Sequence, residues 1–323
     1  MLRIGVVGAG HFGRFHIQSI TQIPGFRLSG FYDIDPERSE KIASEFNVHA
    51  FSSYQELLDN SDVVDIVVPT VSHYECAVQA IKQHKHVFLE KPMTATVKEA
   101  EAILKLAGEA QVKAQVGHIE RFNPAFLAAR PYISNPMFIE IHRLAEFTIR
   151  STDVSVIYNL MIHDIDIVLS VVKSNLRRIH ASGVKVVTDS TDIANARLEF
   201  DNGCVANITA SRISTNNMRR MRFFQKDTYI NVDCLNKKSE VLKMKNNGQI
   251  ELTGLMSGSG DIGNYEDFIS EPLSISPNNS IKVELECFLE AIEQNKDVPV
   301  SFEAGYNALL VASRISDKIE SVL

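Results

Sequence analysis

Leu2-Arg3-Ile4-Gly5-Val6-Val7-Gly8-Ala9-Gly10-His11-Phe12-Gly13 is the stretch on which the fold turns. A short apolar run ends in glycines at GxGxxG spacing, and His11 to Gln22 then has the spacing of a helix. Gly8 permits a tight turn, Gly10 lets the backbone approach a pyrophosphate, and Gly13 allows close helix–strand packing. The N–H groups opening the helix, around His11 and Phe12, face the phosphates. Asp33 follows a second strand-like segment, Arg27 to Tyr32, and stands 20 residues beyond Gly13, where a carboxylate accepts hydrogen bonds from ribose hydroxyls. The same carboxylate repels a 2′-phosphate, so NAD is favoured over NADP, with Arg38 the nearest cation able to reverse the preference. The alternative for these residues is a glycine turn with a surface aspartate.

Outward from this unit, Pro36 to Phe46 reads as a helix with Asp35 as its cap, and Val63 to Val68 as a β-branched strand. Helix 73–84, strand 87–89, helix 96–110 and strand 113–116 continue the alternation, which implies a parallel sheet covered by helices. Residues 1–120 are thus a doubly wound α/β domain of Rossmann type. After Pro124 the pattern changes to longer strands, at 138–146, 179–187, 194–200, 204–211 and 219–232, separated by Asn, Asp and Gly turns. These predict an α+β domain over 121–323, with a mostly antiparallel open sheet. Its helices are expected at 154–172, 281–295 and 303–322, the last free to pack back on the first domain. Segment 256–280, rich in Gly, Ser, Pro and Asn, reads as a long loop.

The 323 residues, 45% hydrophobic, suffice for two cores, and a net charge of −7 argues against nucleic acid as a partner. The most apolar long stretch, Ile157 to Val172, is broken by Asn159, His163, Asp164 and Asp166, so no membrane span is expected. The apolar run at 2–7 is too short for a secretory signal, and the start reads as cytoplasmic. Cys76, Cys204, Cys234 and Cys287 form no CxxC pair, and no ligand cluster such as HExxH appears, so neither a disulfide framework nor a metal site is expected. In Arg219-Arg220-Met221-Arg222 the charges alternate along a strand, so only part of the cluster shares a face. A solvated face or a subunit contact is the plain reading there, and phosphate binding the sharper one.

Glu90-Lys91-Pro92 follows the strand at 87–89 and lies at the carboxyl edge of the sheet, where open α/β folds bind ligands. Three further features accompany it: Val63 to Thr70 with His73, Gly117-His118 with Arg121-Phe122-Asn123-Pro124, and the closing segment Pro299 to Ser313. Together they resemble the Gfo/Idh/MocA family of oxidoreductases. The resemblance implies that Lys91 lies beside the nicotinamide and the substrate hydroxyl. It also implies that Pro69, Thr70, His73 and Glu90 contact the cofactor, and that Arg121 and Asn123 contact substrate. Without that pattern Lys91 reads as a solvated surface lysine.

The second domain carries Asn159-Leu160-Met161-Ile162-His163-Asp164-Ile165-Asp166, with Asn159 and His163 four apart on one helix face. His163 is the candidate general base; on an apolar helix its plain alternative is a satisfied core histidine. The family usually reads Asp-x-Gly-x-His here. Asn159 replaces the acid and orients groups by hydrogen bonding without stabilising a cation, so more of the proton transfer falls to His163. Asp164 and Asp166 read as caps or ion-pair partners. The motifs look most like members acting on UDP-N-acetylglucosamine or similar nucleotide sugars, with polyols and hexoses as close alternatives and biliverdin as a remote one. A sensor that binds the dinucleotide without turnover is the alternative of another class. The open sheet, as in family members, implies a homodimer or homotetramer.

Overall fold

The computed structural model describes residues 1–148, 154–244 and 268–322. The chain forms two compact units: Met1–Phe122 with Asn278–Ser313, and Asn123–Pro277 with Arg314–Leu323. Compactness therefore groups Asn278–Ser313 with the N-terminal unit, across the division drawn at 120/121. No helix among the described residues is long and apolar enough to cross a membrane.

The first unit opens β1 (Leu2–Val7), α1 (His11–Ile20), β2 (Phe26–Tyr32), α2 (Pro36–Phe46), α3 (Tyr54–Asp59), β3 (Val63–Ile66). It continues α4 (His73–Lys82), β4 (His86–Glu90), α5 (Val97–Ala110), β5 (Ala114–Gly117). The strands form one parallel sheet in the order β2-β1-β3-β4-β5, whose switch point lies between β1 and β3. Every residue of β3 and β5 is buried, which is why such strands read as nearly unbroken apolar runs. Asp35 caps α2 by accepting from the N–H groups of Glu37 and Arg38, with Pro36 at the first position. Thr96 and Glu99 close a capping box on α5. Helix α3, capped by Ser53, escaped the sequence because six residues are too few to show a period.

The second unit holds α6 (Pro124–Ala129), β6 (Phe138–Leu144), α7 (Ile162–Val171), β7 (Leu176–Val184), β8 (Ile193–Phe200), β9 (Val205–Ser211). After these come β10 (Met218–Gln225), β11 (Thr228–Asp233), β12 (Lys238–Met244), β13 (Phe268–Pro272). One sheet results, in the order β13-β12-β11-β10-β6-β9-β8-β7, antiparallel except where β6 pairs with β9. Burial alternates along β6 and β8, so the inner face carries Ile139, Ile141, Met221, Phe223, Ile230 and Val232, and the outer face Glu140, His142, Arg220 and Arg222.

Three expectations for this unit are corrected. The single strand 219–232 is a hairpin, β10 and β11, turning at Lys226-Asp227 with Asp227 at φ 57°; no glycine marks the turn. Strand 179–187 begins three residues earlier, at Leu176. The helix expected from 154 starts with a π-helical turn, Ile157–Met161, ahead of α7. The loop reading of 256–280 lies outside the described residues as far as 267, and beyond them the chain forms β13.

Two helices close the chain, α8 (Ser280–Glu293) and α9 (Phe302–Glu320). Leu285, Phe288 and Leu289 of α8 complete the first unit's core with Ile4, Val6, Ile17, Ile20, Phe26 and Phe88. Burying side chains of this size is worth about 1.5–3 kcal/mol each.

Candidate active site

In the first unit the candidate residues gather at the carboxyl edge of the parallel sheet. Gly8 sits at φ +93°, and a Cβ there would lie 2.7 Å from the Val67 carbonyl oxygen; one on Gly13 would lie 2.0 Å from that of Gly8. Neither position admits a side chain. A Cβ on Gly10 meets nothing within 4 Å, so the backbone there is open to a ligand. The first N–H groups of α1 lack intrahelical partners, and Gly10 offers no side chain to cap them. These features fit a dinucleotide pyrophosphate. His11 and Phe12 are exposed beside them, with Phe12 and Phe15 edge-on to the His11 ring.

Asp33 follows β2 as expected, but its carboxylate is engaged. It accepts from Ala9 N–H at 2.7 Å, Asp35 N–H at 2.9 Å and the Arg38 guanidinium at 2.9 and 3.1 Å. Arg38 also bridges to Asp35 at 3.0 Å. Arg38, the exposed partner, is thus held between two acids.

Pro69 is exposed and Thr70 half-buried just past β3. His73 is buried, with Nδ1 2.8 Å from the Pro92 carbonyl oxygen and Nε2 2.9 Å from that of Val68, so it ties the loop after β3 to the loop after β4. Burial pushes its pKa down. Glu90 and Lys91 end β4, with a cis peptide at Lys91-Pro92, and Glu90 Oε2 accepts the Lys91 N–H at 3.0 Å. Arg121 donates to the Pro299 carbonyl at 3.2 Å.

In the second unit Asn123 is buried. Its Oδ1 accepts from Ala125 N–H, capping α6, and its Nδ2 donates to the Cys234 carbonyl at 3.1 Å. Asn159 lies within the π turn and His163 at the second position of α7, both half-buried. π turns recur at functional sites because they re-aim side chains. Asp164, buried next to His163, receives a two-pronged bond from Arg143 of β6, Nε to Oδ2 at 2.8 Å and a terminal nitrogen to Oδ1 at 2.7 Å. Of the basic cluster, Arg220 and Arg222 share the outer face, and Arg222 pairs with Glu140 at 2.8 Å.

Three residues beside the candidates escaped the sequence: His16, Asp65 and Arg143. Asp65 left a signal, as an acid inside the apolar run of β3, whereas nothing announced its partner. Among the described residues no group of three His, Cys, Asp or Glu is placed to hold a metal ion.

Comparison with known proteins follows the same division. The family model described as "Oxidoreductase family, NAD-binding Rossmann fold" matches residues 2–118, and "GFO/IDH/MocA C-terminal domain" matches 113–230. UDP-N-acetylglucosamine 3-dehydrogenase of Acidithiobacillus ferrooxidans is 35% identical over 323 residues, covering 100% of this chain and 98% of that protein. A solved structure of that enzyme matches with a TM-score of 0.90 at 34% identity, over 99% of this chain and 98% of the other. Levoglucosan dehydrogenase in complex with NADH and levoglucosan has the same fold, with a TM-score of 0.85 at 18% identity over 99% and 97%.

Proposed function

The chain belongs to the Gfo/Idh/MocA family of oxidoreductases, and from that premise we propose that it oxidises a secondary alcohol of a nucleotide sugar, UDP-N-acetylglucosamine at its 3-position, with NAD. The observation that carries this is the gathering of the glycine turn, Asp33 and Glu90-Lys91 at one edge of a parallel sheet, in a chain similar over its whole length to an enzyme of that activity.

NAD, when bound, supplies the acceptor for the substrate's hydrogen and electron pair. The first turn of α1 binds its pyrophosphate and Asp33 its ribose. Lys91 donates a hydrogen bond to the substrate oxygen and stabilises the charge that develops there. His163 accepts the hydroxyl proton, and Asn159 orients these groups through its amide. Pro69, Thr70, His73 and Glu90 shape the cofactor side, and Arg121 and Asn123 the substrate side. On this account residues 1–120 serve the dinucleotide and 121–323 the substrate and assembly.

A homodimer or homotetramer built on the outer face of the second unit's sheet belongs to the same proposal. That face carries a row of rings, Phe138, Phe224 and Tyr229, with centroids 5.9 and 5.0 Å apart, beside the Glu140–Arg222 pair. A cytoplasmic setting also belongs to it, in keeping with four free thiols.

The test is absorbance of reduced nicotinamide when the protein meets NAD with UDP-N-acetylglucosamine, inositol or hexoses. Reduction with the UDP-sugar, lost in Lys91→Ala, is the expected outcome. Dinucleotide binding without reduction by any of them sinks the enzyme assignment and favours a sensor. Light scattering of wild type and Phe224→Glu checks the assembly.

A further inference from the structure

Asp65 is fully buried in β3, and His16 of α1 faces it, with Nδ1 2.8 Å from Asp65 Oδ2. The other ring nitrogen of His16, Nε2, lies 3.3 Å from Glu90 Oε1, while Glu90 Oε2 holds the Lys91 N–H. Gly117 of β5 makes room for this, since a Cβ there would come within 2.8 Å of Glu90 Oε1. The Phe88 ring closes the pocket, edge-on to His16 at 5.8 Å.

Charge buried so deeply costs free energy unless it is paired. Both ring nitrogens of His16 face carboxylate oxygens, which suits an imidazolium with its two N–H donors. Burial opposes that charge, but Asp65 and Glu90 outweigh it and raise the His16 pKa to about 10. Burial holds Asp65 above the usual carboxylate range. It pushes Glu90 up as well, but His16 and Lys91 bring Glu90 below its usual value. With the proton on His16, the trio carries one net negative charge, two carboxylates against one cation. His73 of α4 also neighbours Glu90, and burial lowers its pKa; buried His118 follows Gly117, the residue of β5 that pairs with Glu90.

We propose that His16 and Asp65 are positioning residues for Lys91: they fix Glu90 as an anion at the end of β4, anchoring the Lys91 backbone and keeping its ammonium protonated. This rests on Lys91 being the group that polarises substrate. Glu90 is the link between the buried pair and the strand end. A protonated Lys91 sets the basic limb of turnover against pH, and loss of the neighbouring anion lowers its proton affinity.

The test uses the whole chain with histidine ¹⁵N labelling, and turnover of UDP-N-acetylglucosamine and NAD against pH. In wild type, His16 is expected to keep both ring nitrogens protonated from about pH 6 to about pH 9. His16→Gln is expected to lower kcat by roughly 10- to 100-fold, with KM for NAD within about twofold. Its basic limb moves down by about one pH unit while the acid limb stays. Glu90→Gln, which keeps an acceptor for the Lys91 N–H but no charge, moves the same limb and serves if His16→Gln does not fold. A His16 signal titrating near the ordinary histidine range, or an unmoved basic limb in either folded variant, overturns the proposal. Lys91→Ala separates the two levels. If it keeps wild-type turnover, the assignment of Lys91 fails; if it is inactive while His16→Gln and Glu90→Gln keep kcat and limb, only the positioning role fails.

Discussion

Each of the two units buries a charge cluster beside a candidate catalytic side chain, and the clusters differ in their cation. In the first, His16 stands between Asp65 and Glu90, next to Lys91. In the second, Arg143 forks onto Asp164, next to His163. A guanidinium is charged at every accessible pH, whereas an imidazolium titrates. The second cluster is therefore a permanent fastener of α7 to its sheet. The first ties the strand end that carries Lys91 to a group whose charge answers to protons.

If both clusters serve chemistry, removing the side chain that each one holds has the largest effect. Lys91→Ala and His163→Ala are each expected to lower kcat by about 10²–10⁴-fold, with dinucleotide affinity, followed by fluorescence, retained. Should one of them keep wild-type turnover, its cluster is structural only.

Next in size is the fastener itself. Arg143→Met removes the guanidinium that forks onto buried Asp164, an expected loss of about 3–5 kcal/mol in urea unfolding. Adding Asp164→Leu should return most of it, because the cost lies in burying a carboxylate without its guanidinium. A silent Arg143→Met would show that the pair does not hold α7.

An exposed fork sharpens the contrast with these buried ones. Arg38 is 44% exposed and shared between Asp33 and Asp35. Asp33→Ser should release it toward a 2′-phosphate and move the NADP-to-NAD ratio of kcat/KM upward by roughly tenfold, the worth of about one charge-assisted hydrogen bond. An unchanged ratio would mean that Arg38 does not reach the cofactor.

The smallest effect concerns an acid held mainly by backbone. Burial pushes Asp192 up, but the N–H groups of Val187 and Val186, with the Thr188 hydroxyl and N–H, take it down to about 2. Its folded pKa lies below its unfolded one. The stability it contributes is thus present above about pH 4 and lost as pH falls toward about pH 2. Asp192→Asn should flatten acid unfolding in that window, and an unaltered slope would refute the assignment.

What the sequence determined by itself was local. The glycine turn, Asp33 and Glu90-Lys91 were legible because GxGxxG, an acid after the second strand and a triplet after an apolar strand each act within a few residues of backbone. The parallel strands read cleanly because burial on both faces favours apolar residues along most of each strand, Asp65 and Gln115 apart. The β10–β11 turn did not, since Lys226-Asp227 lacks the glycine that signals a hairpin. Only the tertiary structure decided which charges share a pocket. His16 and Asp65 lie 49 residues apart, and Arg143 and Asp164 21. Such pairs are selected by which elements pack together, because a buried charge must find its counter-ion wherever the fold brings one within about 3 Å, and sequence spacing carries no record of that distance.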